Sequence, residues 1–319
     1  MKKIPISLII DDPAPVISVY YTHNPLKHTL DGRPLPERVP NSFLRAFCDT
    51  VKKYGIRGKF SIVPCPGGKG DIVRGLPNVA QSEVDEWLNM AKEDLAPLFA
   101  FCPEILTHWG AIDLATGEML DIQENDWSDS QDRTTMTPYI AKAFSILKEA
   151  GIDATGVTSP WDFGIHVEDE YAHAISQAMF EVYGRTDAWY FCRSLYGEAN
   201  AKPWIAVNEN GRRVVAIPGT IHDCIWKSMD TPDTSEELVQ AIADEYITLD
   251  GKSGEIPHLL AVGSIPIITT HWQSLFSAGA GTGLRVLAEI GARVEKNLSD
   301  QVEWTRFDDL MRMTLNGEI

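Results

Sequence analysis

The sequence is poor in long apolar runs and has no paired cysteine motif. No stretch approaches about 18 consecutive apolar residues, the length of a membrane-spanning helix, so no membrane partner is expected. None of the five cysteines belongs to a C-x-x-C pair, so neither a disulfide framework nor a zinc knuckle is expected. Widely spaced single thiols are typical of a reducing compartment and predict a cytoplasmic protein. The N-terminal run Ile4–Ile10 is too short for a signal peptide and is interpreted as a strand.

Basic residues are also scarce. Lys and Arg total 28 against 45 Asp and Glu, which gives a formal net charge of -17. Nucleic-acid binding needs clustered Lys and Arg, so no nucleic-acid partner is expected, and the same charge repels an anionic membrane. Neutral or cationic small substrates, sugars included, are compatible with this surface, and the sequence does not indicate an oligomeric state.

Short apolar runs alternate with amphipathic helical patterns along the whole chain of 319 residues. The predicted strands are Ile4–Ile10, Gly58–Val63, Leu98–Leu106, Ala154–Thr158, Ala188–Cys192, Val214–Ile217, Ile265–Thr270 and Val302–Thr305. The predicted helices are Ser42–Tyr54, Ser82–Leu95, Pro138–Ala150, Glu168–Tyr183, Ser235–Leu249 and Leu284–Asn297. This alternation is typical of parallel strands with right-handed crossovers. It predicts an α/β fold, a distorted (β/α)7-8 barrel, with a doubly wound open sheet as the alternative.

The connections suggest one domain with its functional residues at one end. No Ser/Gly-rich linker divides residues 1–319, and an Asn210-Gly211 turn predicts a β-hairpin insertion near residues 203–217. Loops after the predicted strands are long, whereas loops after the helices are short. Because active sites of such folds lie at the carboxyl ends of strands, the long loops are expected to carry the function.

Carboxylates and imidazoles stand where three of these strands end. Asp11 and Asp12 end the first strand, and adjacent carboxylates need a cation or hydrogen-bond donors nearby. His108 follows the third strand with Asp113 five residues beyond, and both are ordinary metal ligands. His271 ends a late apolar strand and can serve as a general acid near neutral pH. Each of these residues, taken singly, could have a purely structural role. If the strands are parallel, however, their carboxyl ends lie on one side of the sheet and these side chains would converge there.

Aromatic residues next to these positions suggest carbohydrate recognition. Trp109, Trp161 and Trp272 lie beside the candidate residues and are expected to stack on sugar rings, although core packing is an equal alternative for each. Asp162 is a further candidate for substrate contact. Cys224 in His222-Asp223-Cys224 is a weak candidate nucleophile, and the glycine-rich segment 279–283 a weak anion site. His23 and His28 lie in the first long loop and could approach the site.

The order of these motifs resembles the polysaccharide deacetylase family, metal-dependent carbohydrate esterases of the glycoside hydrolase/deacetylase superfamily. The family's Asp-Asp-Gly resembles Asp11-Asp12-Pro13, and its Glu-Ile-Gly-x-His metal motif resembles Glu104-Ile105-Leu106-Thr107-His108. Its second strand resembles Gly58–Val63, and its late Leu-x-His resembles Thr269-Thr270-His271. The resemblance implies a divergent member with a distorted β/α barrel.

The resemblance also implies roles for individual residues. Asp11 would be the general base, His271 the general acid, and Asp12 and His108 ligands of a divalent metal, with Zn2+ expected. Two positions depart from the family pattern. The second metal-motif histidine falls at Ile112, which leaves Asp113 as the nearest substitute ligand. The arginine that orients the base falls at Thr158, so its function is unassigned.

These observations predict a metal-dependent hydrolase that removes an acyl group from an amino sugar or a related carbohydrate. One alternative is a metal-free glycosidase or lyase that uses Asp11 with a second carboxylate such as Asp162. The other alternative is a carbohydrate-binding relative that has lost its metal and its activity.

Overall fold

The computed structural model describes residues 3–19 and 28–319, and His23 lies outside this part of the chain. Its strands, in chain order, are β1 (Ile4–Asp11), β2 (Gly58–Ile62), β3 (Phe99–Pro103), β4 (Gly110–Ile112), β5 (Met119–Gln123), β6 (Gly156–Thr158), β7 (Asp187–Phe191), β8 (Trp204–Glu209), β9 (Arg212–Ala216), β10 (Ile267–His271) and β11 (Val302–Trp304).

The described helices surround these strands. In chain order they are α1 (Asn41–Lys53), α2 (Gln81–Met90), α3 (Glu124–Ser128), α4 (Arg133–Glu149), α5 (Glu168–Tyr183), α6 (Glu236–Tyr246), α7 (Glu255–Ala261), α8 (Trp272–Phe276), α9 (Thr282–Leu298) and α10 (Phe307–Leu315). Within the described ranges, none of them is both long enough and apolar enough to cross a bilayer.

Two groups of mainly parallel strands form the centre of the molecule. The first has the order β10-β1-β2-β3, with β11 paired to the start of β1, and all of its pairs are parallel. The second has the order β6-β7-β9-β8, in which β8 and β9 form an antiparallel hairpin. The bridges Phe101–Ala154 and Glu104–Thr158 connect β3 to β6, and Ile221–Ile268 connects the chain after β9 to β10. A mixed α/β fold with parallel strands is therefore confirmed, while closure into a barrel and a single domain stay predictions.

The predicted hairpin near residues 203–217 is present, but it is part of the sheet. Its second strand, β9, pairs in parallel with β7. A second antiparallel hairpin, β4–β5, lies in the loop after His108, where the sequence predicts no strand. Every residue of β5 is exposed, so that strand lacks the buried apolar alternation from which strands are predicted.

Helix α4 begins earlier than predicted. The sequence predicts Pro138 as its first residue, but the helix begins at Arg133. The Asp132 carboxylate accepts hydrogen bonds from the backbone N–H groups of Thr134 and Thr135, at 2.8 and 3.0 Å. This cap satisfies donors that a helix N-terminus otherwise leaves open, so it fixes the start.

The core between β2 and the helices is built on aromatic contacts. Trp272 is fully buried, and its ring meets the rings of Phe43, Phe47 and Phe60 edge-on at centroid distances of 4.8, 5.4 and 5.7 Å. The prediction that Trp272 contacts substrate is therefore wrong. Its position directly after His271 places it at the start of α8, where the side chain faces the core instead of the cavity.

Candidate active site

The carboxyl ends of β1, β3 and β10 meet at one cavity. Residues Asp11 and His271 are neighbours in the register of β1 and β10, and His108 follows β3 in the same sheet. The cavity has a volume of about 190 Å³. Its lining consists of Asp11, Asp12, Glu104, His108, Ser159, Trp161, Phe191, Ser194, Tyr196, Thr269 and His271. The convergence predicted from the sequence for Asp11, Asp12, His108 and His271 is present in this geometry.

A larger cavity, of about 490 Å³, lies between α4, α5 and the β8–β9 hairpin. Its basic residues already have partners. Arg133 pairs with Glu170 at 2.8 Å, and His173 lies 3.5 Å from Glu209. Among the described residues, the group of side chains that could hold a metal ion lies at the smaller cavity and not at this one.

Three buried side chains at the smaller cavity can hold a metal ion. The ligand atoms of Asp12, Glu104 and His108 all lie within 4.8 Å of one another. His108 Nε2 is 2.8 Å from Asp12 Oδ1 and 3.3 Å from Glu104 Oε1. Glu104 Oε2 accepts a hydrogen bond from the backbone N–H of Asp12 at 2.6 Å, so the second carboxylate is fixed against the first. One imidazole and two carboxylates form a donor set that suits Zn2+ and similar cations.

The pKa shifts of this group show that it favours a positive charge. Burial alone would lower the pKa of His108, but the Asp12 and Glu104 carboxylates raise it well above its ordinary value. Burial would raise the pKa of Glu104, but the hydrogen bond and charge of His108 and the charge of Lys59 lower it. Without a metal, a protonated imidazole thus lies between two carboxylates. Metal binding would replace that proton with a cation, because an imidazole binds metals in its neutral form.

Asp113 is not a member of this group, which corrects the predicted ligand set. It lies between β4 and β5, and its Oδ1 accepts a hydrogen bond from the backbone N–H of Ala115 at 2.8 Å. The carboxylate that accompanies Asp12 and His108 is Glu104, whose bond to the Asp12 backbone could not be read from the sequence.

The general-base candidate Asp11 contacts a buried lysine, Lys59, which no motif in the sequence indicates. The Lys59 ammonium pairs with Asp11 Oδ1 and donates to Thr158 Oγ1 at 2.6 Å. Burial raises the pKa of Asp11 to about 7, against the lowering effect of Lys59 and with a further raising effect from Glu104. A carboxylate with such a pKa can accept a proton near neutral pH.

The general-acid candidate His271 is held by Asp223, which in the sequence is notable only as the neighbour of Cys224. His271 Nδ1 lies 2.8 Å from Asp223 Oδ2. Burial would lower the pKa of His271, but this hydrogen bond and the charges of Asp12, Asp223 and Asp11 raise it to about 9. His271 is therefore protonated near neutral pH. Burial raises the pKa of Cys224 to about 12, so that thiol is a poor nucleophile.

Left-handed backbone conformations are concentrated around the cavity. The φ angles are 69° at Asp12, 38° at Ile105, 56° at His108 and 48° at Trp161. Such angles cost side-chain-bearing residues conformational energy and cluster at functional sites, where the surrounding structure maintains them.

A buried carboxylate supports the backbone of the candidate ligand His108. Glu124 Oε2 accepts a hydrogen bond from the His108 backbone N–H at 2.8 Å, and Oε1 accepts one from Thr107 at 2.9 Å. The Tyr139 hydroxyl donates to the same carboxylate at 2.7 Å. Glu124 begins α3, so this short helix fixes the loop that carries His108.

The remaining predicted substrate contacts divide into those near the cavity and those away from it. Trp161 is 47% exposed, lines the cavity, and its ring lies 4.6 Å from the ring of His108. The Trp109 ring lies 6.5 Å from that of Trp161, outside the lining. Asp162 accepts a hydrogen bond from Asn125 at 3.1 Å and does not line the cavity, which disfavours it as a second catalytic carboxylate.

The chain has distant likenesses among solved structures. No family model matches the chain, and no curated protein matches its sequence. One similar solved structure is a "putative polysaccharide deacetylase" from Mycobacterium smegmatis, with 12% identity and a TM-score of 0.49, covering 87% of this chain and 78% of that one. Another is a lactam utilization protein from Thermus thermophilus, with 13% identity and a TM-score of 0.35, covering 81% and 90%.

Proposed function

We propose that the protein is a metal-dependent hydrolase that removes an acyl group from an amino sugar or a related small carbohydrate. The observation that carries the proposal is the buried group of Asp12, Glu104 and His108 in the same cavity as Asp11 and His271. It combines a cation-binding group with one base and one acid, which are the parts that amide or ester hydrolysis requires.

The metal would be held by Asp12, Glu104 and His108, and Zn2+ is the ion to test first. When bound, a divalent cation supplies Lewis-acid polarisation of the acyl carbonyl and makes water more acidic. Asp11 accepts a proton from the attacking water, since its pKa of about 7 leaves it partly ionised at neutral pH. His271 donates a proton to the leaving amine or alkoxide, and Asp223 holds its ring in the required orientation.

The volume of the cavity and the aromatic ring at its edge support a small carbohydrate as the substrate. Its volume of about 190 Å³ lies below the roughly 300–1,000 Å³ of pockets that hold drug-sized ligands. The half-exposed Trp161 ring at the cavity offers an aromatic face for a sugar ring. The five free cysteines are compatible with the predicted cytoplasmic location, where a small sugar derivative would be the substrate.

The test combines metal analysis with a hydrolysis screen. The purified protein is analysed for bound zinc and assayed for acetate release from a panel of N- and O-acetylated sugars. The Asp12→Asn variant keeps a side chain that tolerates the left-handed backbone at this position and removes the charge. Asp113→Asn, with the same chemical change outside the group, is the matched control.

We expect the Asp12→Asn variant to lose zinc and activity together, while Asp113→Asn keeps both. Acetate release that persists in metal-free Asp12→Asn would contradict the proposal. Release of free sugar instead of acetate would favour the glycosidase alternative. Sugar binding without turnover would favour the non-catalytic one.

A further inference from the structure

Lys59 is a fully buried cation beneath the floor of the cavity. It lies in β2, where every residue is buried, and its side chain has no exposed surface. A buried ammonium is costly unless its charge and its protons are matched. Here they are matched on three sides. Lys59 pairs with Asp11 Oδ1, donates to Thr158 Oγ1 at 2.6 Å, and lies 5.1 Å from the centre of the Phe191 ring.

These contacts separate two carboxylates that are adjacent in sequence. Asp11 Oδ1 is bound to Lys59, whereas Asp12 Oδ1 faces His108. Among the described residues, the cluster of candidate ligand atoms includes Asp12 and excludes Asp11. Both side chains nevertheless line the same cavity, so a cation bound there would attract both.

We propose that Lys59 is a positioning residue that holds Asp11 out of the metal-ligand set and thereby keeps it available as the general base. This inference rests on the proposed function. Lys59 retains Oδ1 of Asp11, so Oδ2 is the oxygen that receives the proton from water. Without Lys59, Asp11 turns toward the cation and becomes a fourth protein ligand. An additional carboxylate then binds the metal, and the base is lost.

Metal spectroscopy tests this separately from activity. Apo protein is loaded with Co2+, whose d–d absorption reports the number and type of ligands, and Zn2+ affinity is measured by competition with a chelating dye. The variants are Lys59→Met, Asp11→Asn and the double variant. Lys52→Met is the matched control, because it removes the same charge from an exposed pair with Asp94.

We expect Lys59→Met to change the Co2+ spectrum, while Asp11→Asn, the double variant and Lys52→Met keep the wild-type spectrum. Loss of the Lys59 charge should tighten Zn2+ binding in either background. The increase should be at least about tenfold larger with Asp11 present than in the Asp11→Asn background, because only the aspartate adds a charged ligand. The proposal would be overturned if Zn2+ affinity increased equally in both backgrounds and the Co2+ spectrum of Lys59→Met stayed unchanged.

Folding and activity are controlled within the same set. Lys59→Met leaves Asp11 unpaired, and if this variant does not fold, the Asp11→Asn variant tests the proposal alone. A changed Co2+ spectrum in Asp11→Asn would show that Asp11 is already a ligand in the wild type and would overturn the proposal.

On any acetylated sugar that the wild type hydrolyses, Lys59→Met should lower kcat at least about 100-fold with KM within threefold, and Lys59→Arg should recover part of kcat. An unchanged kcat in Lys59→Met also overturns the positioning role. A wild type that hydrolyses no panel member contradicts the proposed function, while the Co2+ spectra still decide whether Lys59 separates Asp11 from the ligands.

Discussion

Replacement of Asp223 by asparagine should lower the pKa of His271 by at least about one unit. In the wild type that pKa is raised from 6.5 to about 9, against the lowering effect of burial. The 2.8 Å hydrogen bond from Nδ1 to Asp223 Oδ2 and the Asp223 charge are two of the raising causes, and the charges of Asp12 and Asp11 are the others. The asparagine keeps the size of the side chain and removes its charge.

The magnitude follows from the difference between the two pKa values. A rise from 6.5 to about 9 corresponds to at most about 3–4 kcal/mol of preference for the protonated ring, at roughly 1.4 kcal/mol per pKa unit. The His271 side chain is 31% exposed, so solvent screening reduces this value, and Asp223 supplies part of it. A loss of one to two units places the variant pKa at about 7 to 8.

The sign of the stability effect is also fixed. Because the folded pKa is raised, protonation of His271 stabilises the fold fully below pH 6.5, and this contribution is lost as the pH rises through about 9. In Asp223→Asn the contribution is smaller and disappears at a lower pH. The unfolding free energy of the variant should therefore fall below that of the wild type most clearly on the acidic side.

The assay is an NMR titration of the His271 ring in metal-free protein, with a chelator present so that no cation changes the charge of the cavity. Asp250→Asn is the control, since this exposed carboxylate hydrogen-bonds to Thr248. An unchanged His271 pKa in Asp223→Asn, or an equal decrease in both variants, would refute the assignment of Asp223 as the group that holds His271 protonated.

Three further predictions concern two tryptophans that the sequence does not distinguish and the buried carboxyl group of Glu124. Trp272→Ala should lower the free energy of unfolding by about 3–5 kcal/mol, as measured in urea, because it empties a buried aromatic site. Trp161→Ala should change that free energy by less than about 1 kcal/mol and weaken sugar binding, and a large loss of stability would contradict its exposed position. Glu124→Gln presents an amide N–H₂ to backbone donors and should weaken Zn2+ binding about 10–100-fold in a dye competition, through misplacement of His108.

Part of the fold could be predicted because its strands carry a strong local signal. The buried strand β1 is almost continuously apolar, and β10 begins with two buried isoleucines, so the sequence locates both strands within a residue or two. The β4–β5 hairpin could not be predicted in this way, because its strands are short and β5 is exposed throughout. Its existence depends on pairing with neighbours and not on a buried pattern.

The sequence predicts the site residues that lie at the ends of strands. It does not predict the residues that hold them, because those come from distant parts of the chain. Asp11, Asp12, His108 and His271 were found by position alone. Asp223 is 48 residues from His271, and Lys59 is 48 residues from Asp11. A lysine in an apolar strand is a signal of a buried pair, but the sequence does not say with which acid.

Adjacent residues of a regular strand point to opposite faces, yet Asp11 and Asp12 line the same cavity. The positive φ of Asp12 breaks the alternation at the end of β1, and the positive φ of His108 redirects the chain after β3. In both residues a buried carboxylate accepts the backbone N–H, Glu104 at Asp12 and Glu124 at His108. Each left-handed residue costs about 1–2 kcal/mol, which is of the same order as the contribution of the hydrogen bond that its backbone N–H donates to a buried carboxyl group. The two turns that carry the candidate ligands are therefore stabilised by carboxyl groups beneath them, and the proposed metal would add to this arrangement without having to create it.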